Sequence, residues 1–583
     1  MSSSSSRSFV WPKDSAEQVR FWIPNEWKIV GPQFCCLTYD PEERLLKVVA
    51  ACDDNDQKEE VLHVIDPDDM IGVKLEVQLR EGSNVETKKD EQDTKDDATP
   101  RRATNEPAND TLSDTQGQAT LHLYCYPRCD YSKGSWLSYC GITSYQHPVR
   151  RPTYQRPASS DGDSSQRPAA RVAHFQSLVL APVKDMSQVS SLVSALQQLA
   201  SDRSLQEKRP TFLILVNPHS GPRKNGWTLC RDTVRPMLEE AGIDTYVVVT
   251  AHAKHATELV LQQGLAACVN KESGQEDKDD TPDQSFHETA EFAKKDVSEY
   301  DGMVIIGGDG TIHEVINGIQ QRADCDTLWK TLKIGVVGCG TGNGLATSIA
   351  YASQEAYGPI GETLIICKGQ TTFSDISTYQ TRNHSYTSFL TFTWAMVADI
   401  DIESEQIHWM GETRFDVWAV LRILFLRTYK AKLSYLPPNA SSSKNDNSIQ
   451  SPKNLTLPAL SDPVPENWIT MEDDFILLWA SQVTHASMTN IPSPESTFDD
   501  GLFRIFIVRG HVTRLQLIRM LLSLESGGHR HLPGAEFIDC VAYRLEPQSP
   551  GSFNDIDGEA VEDGPIQGVV QPQTMQIFCR SSK

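Results

Sequence analysis

The sequence predicts an α/β plus all-β chain: a doubly wound lobe of mostly parallel strands, a β-sandwich lobe after it, and a β-rich module ahead of both. Three observations carry that expectation. From Pro210 short apolar runs alternate with helix-period segments, as βαβ units require. From Ser374 strand-like runs follow one another with two helix-period segments between them. Before residue 200, strand-like runs alternate with polar inserts.

A length of 583 residues suits several folding units. The expected boundaries are 1–200, 208–374 and 375–583. Hydrophobic residues make up 39%, a modest share that leaves part of the length as insert. Residues 81–118, 145–171, 270–285 and 437–462 are polar, lack apolar periodicity and read as disordered or flexible. The net charge of −24 excludes a general nucleic-acid binder. Much of that charge sits in the inserts and near the C-terminus, so it says little about any binding face. The most apolar stretch, 415–426, is broken by Arg422 and falls short of the ~18–20 residues a membrane span needs. The N-terminus lacks a signal-peptide core, and Ser2 fails the myristoylation pattern. A cytoplasmic protein follows as the expectation. The thirteen cysteines then read as reduced thiols, and Cys125, Cys129 and Cys140 match no standard zinc spacing.

In the first 200 residues QFCCLTYD, RLLKVVAAC, EVLHVI, TLHLYCYP and AHFQSLVLAP read as strands, and MSQVSSLVSALQQLA as a helix. Strands closed by one helix resemble a pleckstrin-homology-like module by order of elements; a β-rich module without a ligand remains equally open. The α/β pattern runs through TFLILVNP, helix WTLCRDTVRPMLEEAG, DTYVVVT, helix HATELVLQQGLA, DGMVIIGG, helix TIHEVINGIQQ, KIGVVG and CGTGNGLATSIA. FSDISTYQ, SFLTFTWAMV, AKLSYLP, DDFILLWASQV, GLFRIFIVRG, CVAYRLEP and TMQIFCR follow as strands, with helices over 414–428 and 514–524.

Three glycine-bearing loops follow three of the α/β strands: Asn217-Pro218-His219-Ser220-Gly221, Gly307-Gly308-Asp309-Gly310-Thr311 and Gly338-Cys339-Gly340-Thr341-Gly342-Asn343. Glycine lets backbone N–H groups close on phosphate oxygens without a Cβ in the way. The second and third loops open into helices, whose N-termini favour anions. No Gly-Lys-Ser/Thr follows and no spaced dinucleotide fingerprint is present. One such loop is as readily a structural turn. Three at the carboxyl ends of one sheet's strands, where open α/β sheets bind ligands, point to a nucleoside triphosphate. Asp309 is the carboxylate among these glycines, and it would repel phosphate unless it bound a metal or took a proton. Both roles belong to phosphoryl transfer.

GGDGTIHEVING (307–318) resembles the signature of the diacylglycerol kinase catalytic domain family, lipid kinases acting on diacylglycerol, ceramide and sphingosine. NPHSG, GCGTGNG and TAHAKHA (250–256) are similar to the family's flanking elements. GGDG alone is shared with NAD kinases and phosphofructokinases; the full set in this order is specific. The stretch 398–405 (ADIDIESE), with MGETRF, LRTYKAKLSYLP, PVPENW, FRIFIVRG, AYRLEP and Asp557-Gly558-Glu559, closely resembles sphingosine kinases. The likeness covers about 210–435 and 462–580.

The resemblance implies ATP- and Mg²⁺-dependent phosphorylation of the primary hydroxyl of sphingosine and related sphingoid bases. It places Asp309 as the catalytic base. It places Asn217, Ser220, Gly221, Thr250, Gly307, Gly308, Gly310, Thr311, Gly340, Thr341, Gly342 and Asn343 around the nucleotide. Arg414 matches a phosphate-contacting arginine. Asp557, Gly558 and Glu559 match the C-terminal nucleotide and metal region, with Asp557 the metal ligand. Asp401 matches the residue that holds the sphingoid head group. The chemistry agrees: sphingosine carries an ammonium beside its acceptor hydroxyl, ceramide and diacylglycerol do not, and a carboxylate pairs with an ammonium. Phe389 and Trp394, with Phe392, Met396, Phe415, Trp418, Leu421 and Phe425, are candidate walls for the alkyl chain; ordinary core is the alternative for each. Burying that chain contributes about 0.8 kcal/mol per CH₂. One departure stands out: Ile407-His408-Trp409 occupies a place where many relatives have an arginine, so that either one phosphate cation is missing or His408 substitutes in a pH-dependent way.

Ceramide or diacylglycerol kinase is the neighbouring alternative, and a non-catalytic lipid-binding regulator the more distant one. Arg150, Arg151, Arg156, Arg167 and Arg171 give a basic stretch for peripheral contact with anionic membrane, or a solvated linker. Residues 418–432 have the look of a basic amphipathic segment for a calmodulin-like regulator, and Ser451-Pro452 of a proline-directed phosphosite. A homodimer is left open.

Overall fold

The computed structural model describes residues 209–221, 225–261, 296–410, 413–438 and 455–580, and before them only short backbone segments. The chain divides into two compact units. The first, Met1–Cys125 with His174–Ala200, holds seven strands. They are β1 (Arg20–Trp22), β2 (Phe34–Asp40), β3 (Leu45–Ala50), β4 (Val61–Ile65), β5 (Met70–Gln78), β6 (Gln118–Cys125) and, past the ribbon of β7 (Arg128–Cys129) and β8 (Ala170–Arg171), β9 (His174–Leu180). Every pairing is antiparallel, in the order β4-β3-β2-β1-β9-β6-β5. The helix expected over 186–200 is described only at 196–197. Inserts 81–118, 145–171 and 270–285 lie outside the described residues, apart from the strand ends at Gln118 and Ala170–Arg171.

The second unit opens with the expected alternation. β10 (Thr211–Val216) is followed by α1, which starts at Gly226–Leu229, passes through a π turn, Cys230–Val234, and ends as Arg235–Glu240. Next come β11 (Asp244–Val249), α2 (His255–Leu261), β12 (Gly302–Gly307), α3 (Asp309–Gln320), α4 (Cys325–Thr331), β13 (Lys333–Gly338), α5 (Gly344–Ala352) and α6 (Pro359–Lys368). The strands pair in parallel in the order β11-β10-β12-β13. β12 is buried along its whole length, the condition that makes central parallel strands read as unbroken apolar runs. Gly307 and Gly338 are register partners, so the second and third glycine loops leave the sheet side by side.

The β-rich part comprises β14 (Thr371–Gln380), β15 (Ser385–Ser388), β16 (Thr391–Ala395), α7 (Met396–Glu403), α8 (Thr413–Leu424), β17 (Tyr429–Leu436), β18 (Ile469–Ser481), β19 (Phe503–Arg509), α9 (Arg514–Leu522), β20 (Ala535–Cys540), β21 (Ala542–Pro547), β22 (Asn554–Ile556), β23 (Glu559–Val561) and β24 (Ile566–Phe578). It packs around Tyr379, Phe392, Trp394, Phe475, Phe503 and Tyr543. Its last strand belongs to both halves. β24 runs parallel to β13 through Lys333↔Gln576 and Ile334↔Ile577, and antiparallel to β14 and β21. One 15-stranded mixed sheet therefore crosses the unit. The bend that allows this lies at Pro572–Gln573, where Asp375 accepts the N–H of Gln573 at 2.7 Å and of Gly501 at 2.6 Å. Proline is tolerated there because the ladder is already interrupted by a register shift at β14.

Three helices were not legible as such: α4, α6 and α7. The run SFLTFTWAMV, expected as one strand, ends at Ala395, whose φ of 64° turns the chain, and Met396 begins α7. Residues 418–432 do not form one helix either, because α8 stops at Leu424 and β17 begins at Tyr429. Within the expected loop 437–462, residues 455–462 are pinned instead. The buried Arg544 guanidinium donates to the carbonyls of Pro458, Ala459, Leu460 and Asp462, at 2.6–3.4 Å. Carbonyl oxygens thus satisfy a cation that burial would otherwise penalise.

Because β24 serves both halves, Ile577→Ala should lower stability by about 2–5 kcal/mol. Urea unfolding followed at Trp329 and Trp468, one in each half, should show coincident transitions for wild type and variant; separated transitions would show that the shared strand does not couple them.

Candidate functional site

The three glycine loops meet in space. A Cβ on Gly221, where φ is +74°, would lie 2.0 Å from the Cys339 carbonyl oxygen, and one on Gly340 would lie 2.5 Å from Gly308 Cα. A Cβ on Gly307 would strike Thr311 at 2.8 Å, and Ser220 Oγ lies 3.4 Å from the Cβ position of Gly308. Side chains tie the loops further. Asn217 Nδ2 donates to Thr311 Oγ1 at 3.0 Å, while its Oδ1 accepts the His219 N–H at 3.0 Å. Asn343, in the left-handed region at φ 57°, closes the third loop on itself. Its Oδ1 accepts the Gly340 N–H at 2.8 Å and its Nδ2 donates to the Gly340 carbonyl at 2.7 Å. Thr341 is the exposed tip, and Thr250 sits buried at the end of β11, its N–H on the Val216 carbonyl. The result is a backbone concavity at the N-termini of α3 and α5, the geometry that receives phosphate.

Asp309 is the first residue of α3 and caps the next helix as well. Its Oδ2 accepts the Gly344 N–H at 2.8 Å and its Oδ1 that of Leu345 at 3.3 Å, both at the start of α5. Burial pushes its carboxyl up to about 6, against these bonds and with help from the Asp557 charge. Gly310 stays open beside it: a Cβ there would lie 3.4 Å from Glu559 Oε1.

Asp557 and Gly558 form the two-residue turn of the β22–β23 hairpin, both with positive φ (55° and 85°), as Asp-Gly turns favour. That turn aims the Asp557 carboxylate inward. Ser388 Oγ donates to Oδ1 at 2.7 Å, and the N–H groups of Leu390 and Thr391 do so at 3.1 Å. Oδ2 receives the Phe389 N–H at 3.4 Å and faces His313 Nδ1 at 3.1 Å. Burial alone would lower the His313 pKa, but the hydrogen bond and charge of Asp557 leave it raised. A carboxylate has about four lone-pair directions, and these neighbours use them. Asp557 therefore does not fit the expected role of metal ligand; it organises the turn between β15 and β16. Glu559 is the exposed carboxylate on this rim.

Asp401 projects from α7 and meets a residue that the sequence reading missed. Its carboxyl is in hydrogen-bonding contact with that of Asp555, and burial raises it to about 6. Asp555 itself is held well above the ordinary range by burial and by Asp401. Asp555 stands directly opposite Thr393 across the β16–β22 pair, and Thr393 Oγ1 donates to its Oδ2 at 2.8 Å. The signal was the second carboxylate of Asp-Ile-Asp at 555–557, two residues before the turn acid. Asp309, Asp557, Asp555 and Asp401 thus form a line in which neighbours feel each other's charge.

α7 and α8 are clamped together behind Asp401. Arg422 is buried and pairs with Asp399 and Glu403, Tyr429 donates to Asp399 at 2.8 Å, and Trp418 Nε1 donates to Glu403 at 2.9 Å. Arg414 pairs with Glu405 and lowers the Asp401 pKa, so its described neighbours are on the head-group side. Of the expected chain walls, Phe389, Phe392, Trp394 and Met396 are buried, Phe415 and Trp418 half-buried, and Leu421 and Phe425 exposed, the last by 71%. Trp394 packs against Tyr429 and Phe475, and its buried Nε1 has no partner. His408, whose side chain is not described, and Ser451 give no structural account of the expectations placed on them.

Residues 211–379 match the model of the diacylglycerol kinase catalytic domain, and 483–579 that of the YegS C-terminal NAD kinase beta sandwich-like domain. The chain is 31% identical over 391 residues to sphingosine kinase 1 of Mus musculus, covering 65% of this chain and 94% of that protein. The chain belongs to the sphingosine kinase family. Sphingosine kinase 1 of Homo sapiens is 31% identical over 373 residues, with 62% and 88% covered, and that of Arabidopsis thaliana 29% over 365 residues, with 61% and 68% covered. As a sphingosine kinase family member it carries both elements described here, the α/β catalytic domain and the mixed-sheet β domain that completes its cleft.

Because the Cβ of an alanine at 340 meets backbone rather than a movable side chain, Gly340→Ala should raise the dissociation constant for ATP at least tenfold with the fold intact. Equilibrium nucleotide binding beside a thermal melt checks this; unchanged ATP affinity would remove the loop contact from the nucleotide site.

Proposed function

We propose that this chain transfers the γ-phosphate of ATP to the primary hydroxyl of a long-chain sphingoid base, giving the 1-phosphate. The observation that carries this is the placement of Asp309: a carboxyl raised to about 6, at the mouth of the three-loop concavity, with the acidic Asp401 side of the cleft beyond it. ATP supplies the phosphoryl group; the loop N–H groups and the N-termini of α3 and α5 hold its phosphates. Asp309 takes the proton from the acceptor hydroxyl as that oxygen attacks, and a base near neutrality suits the task. Asp401 pairs with the ammonium next to that hydroxyl, orienting the acceptor. Glu559, exposed beside Gly310, is the carboxylate placed to reach a nucleotide-bound Mg²⁺.

The acceptor is a membrane lipid, and among the described residues no helix is long and apolar enough to cross a membrane. The exposed apolar row of α8, Val420, Leu424 and Phe425, with Trp409 before it, supports peripheral contact with the bilayer.

Labelled ATP offered with sphingosine, ceramide or diacylglycerol in mixed micelles tests the reading. Wild type should label sphingosine, Asp309→Asn should lose at least 100-fold in kcat, and Asp401→Asn should lose sphingosine selectivity. Preferential labelling of a neutral lipid would overturn the acceptor assignment. The ionised forms of Asp309 and Asp401 are the working ones, and both carboxyls are raised. Activity should therefore fall as pH drops through about 6. In Asp401→Asn the acid limb of kcat should remain, because Asp309 still titrates. A limb that disappears with Asp401 would reassign it.

A further inference from the structure

Asp555 has features that a purely structural residue does not explain. It is 1% exposed. Its Oδ2 is satisfied by Thr393, and its buried Oδ1 meets no backbone N–H, hydroxyl or amide donor, leaving the Asp401 carboxyl as the group it faces. A buried polar oxygen left without a donor is costly and uncommon, and in a folded protein it calls for a reason. The fold could have provided a donor: two residues along, the Asp557 carboxylate collects Ser388, His313 and three backbone N–H groups. At Asp555 the facing group is instead another acid, Asp401, with the two carboxyls in direct contact. Two carboxyls meeting face to face bond only by sharing a proton, and a ligand that brings several donors, one of them a cation, replaces that proton and satisfies both acids. The place of this pair in the cleft fixes what those donors belong to, since Asp401 is the residue already assigned to the ammonium of the acceptor.

We propose that Asp555 is a specificity-determining substrate residue: the head group inserts between the two carboxyls, Asp401 taking the ammonium and Asp555 Oδ1 accepting a hydrogen bond from the secondary hydroxyl on the adjacent carbon. The inference rests on the sphingoid-base reading above and deepens it, because it makes the amino-diol, rather than an amine with one alcohol, the unit that is recognised. The register of β22 against β16 holds Asp555 in place, and Thr393 fixes the oxygen that does not face the ligand. The carboxyl–carboxyl contact is then the ligand-free arrangement, replaced on binding by one contact from each acid to the head group.

The test uses the full chain and two acceptors of equal chain length, a 2-amino-1,3-diol and its 3-deoxy analogue, with ATP saturating. A hydrogen bond to a charged group is worth about 10- to 100-fold, so wild type should prefer the diol by that factor in kcat/KM. Asp555→Ala should bring the diol-to-deoxy ratio of kcat/KM to about one, with the KM for ATP within about twofold. Asp555→Asn keeps the shape and one carbonyl acceptor, guards against a folding defect, and should retain part of the preference. A preference that persists in Asp555→Ala, a parallel loss on both acceptors, or equal use of both by wild type would overturn the assignment. The underlying reading fails differently, by wild type phosphorylating neither amine.

Discussion

The cleft depends on one carboxylate. Asp557 gathers a side-chain hydroxyl, a histidine and three consecutive backbone N–H groups, and in doing so locks the turn between β15 and β16 to the β22–β23 hairpin and to α3. α3 begins with Asp309, β16 leads into α7 and Asp401, and β22 carries Asp555. Each group proposed to handle the acceptor is thus one element away from the same carboxylate. Its bonds to N–H groups are of the charge-assisted kind, roughly twice as strong as neutral ones. These donors occupy the lone pairs that a cation would use.

The shared strand β24 makes that junction rigid. A catalytic domain and a β domain joined by a linker would be free to rock, and a misplacement of about 1 Å at the reacting atoms costs rate steeply. Here β24 is hydrogen-bonded to β13 on the nucleotide side and to β14 and β21 on the acceptor side. The Asp375 carboxyl holds the bend that lets one strand do both. Burial raises that carboxyl to about 7, the cost of placing it where two backbone N–H groups need an acceptor.

Much of this was legible in the chain. The unbroken apolar runs LILV and MVII announced central parallel strands, and three glycine loops announced the backbone concavity at their ends, because both signals are local. What was not legible came from contacts between distant segments. Trp394 to Val397 reads as strand by composition, yet Ala395 turns and α7 begins. The polar stretch 455–462 reads as flexible, yet Arg544 collects its carbonyls from almost a hundred residues away. Asp555 looks like surface acid in a Gly-Ser-Asn-Asp neighbourhood, and only the pairing with Thr393 buries it. Glycine and apolar patterns are set by backbone geometry, whereas the worth of a charged residue is set by what folds over it.

The line of carboxyls carries a consequence for selectivity. Burial is the main reason Asp309, Asp401 and Asp555 all hold protons more tightly than free aspartates do, and neighbouring carboxylates add to it at Asp309 and Asp555. An acceptor with an ammonium offsets this as it binds. A neutral acceptor of the same shape does not, and it seals a carboxylate away from water with no partner, a penalty of about 1–3 kcal/mol or more for a charged group. Discrimination against ceramide and diacylglycerol then needs no steric gate. Under the proposed roles it follows from leaving the acidic half of the cleft unsatisfied until a cation arrives.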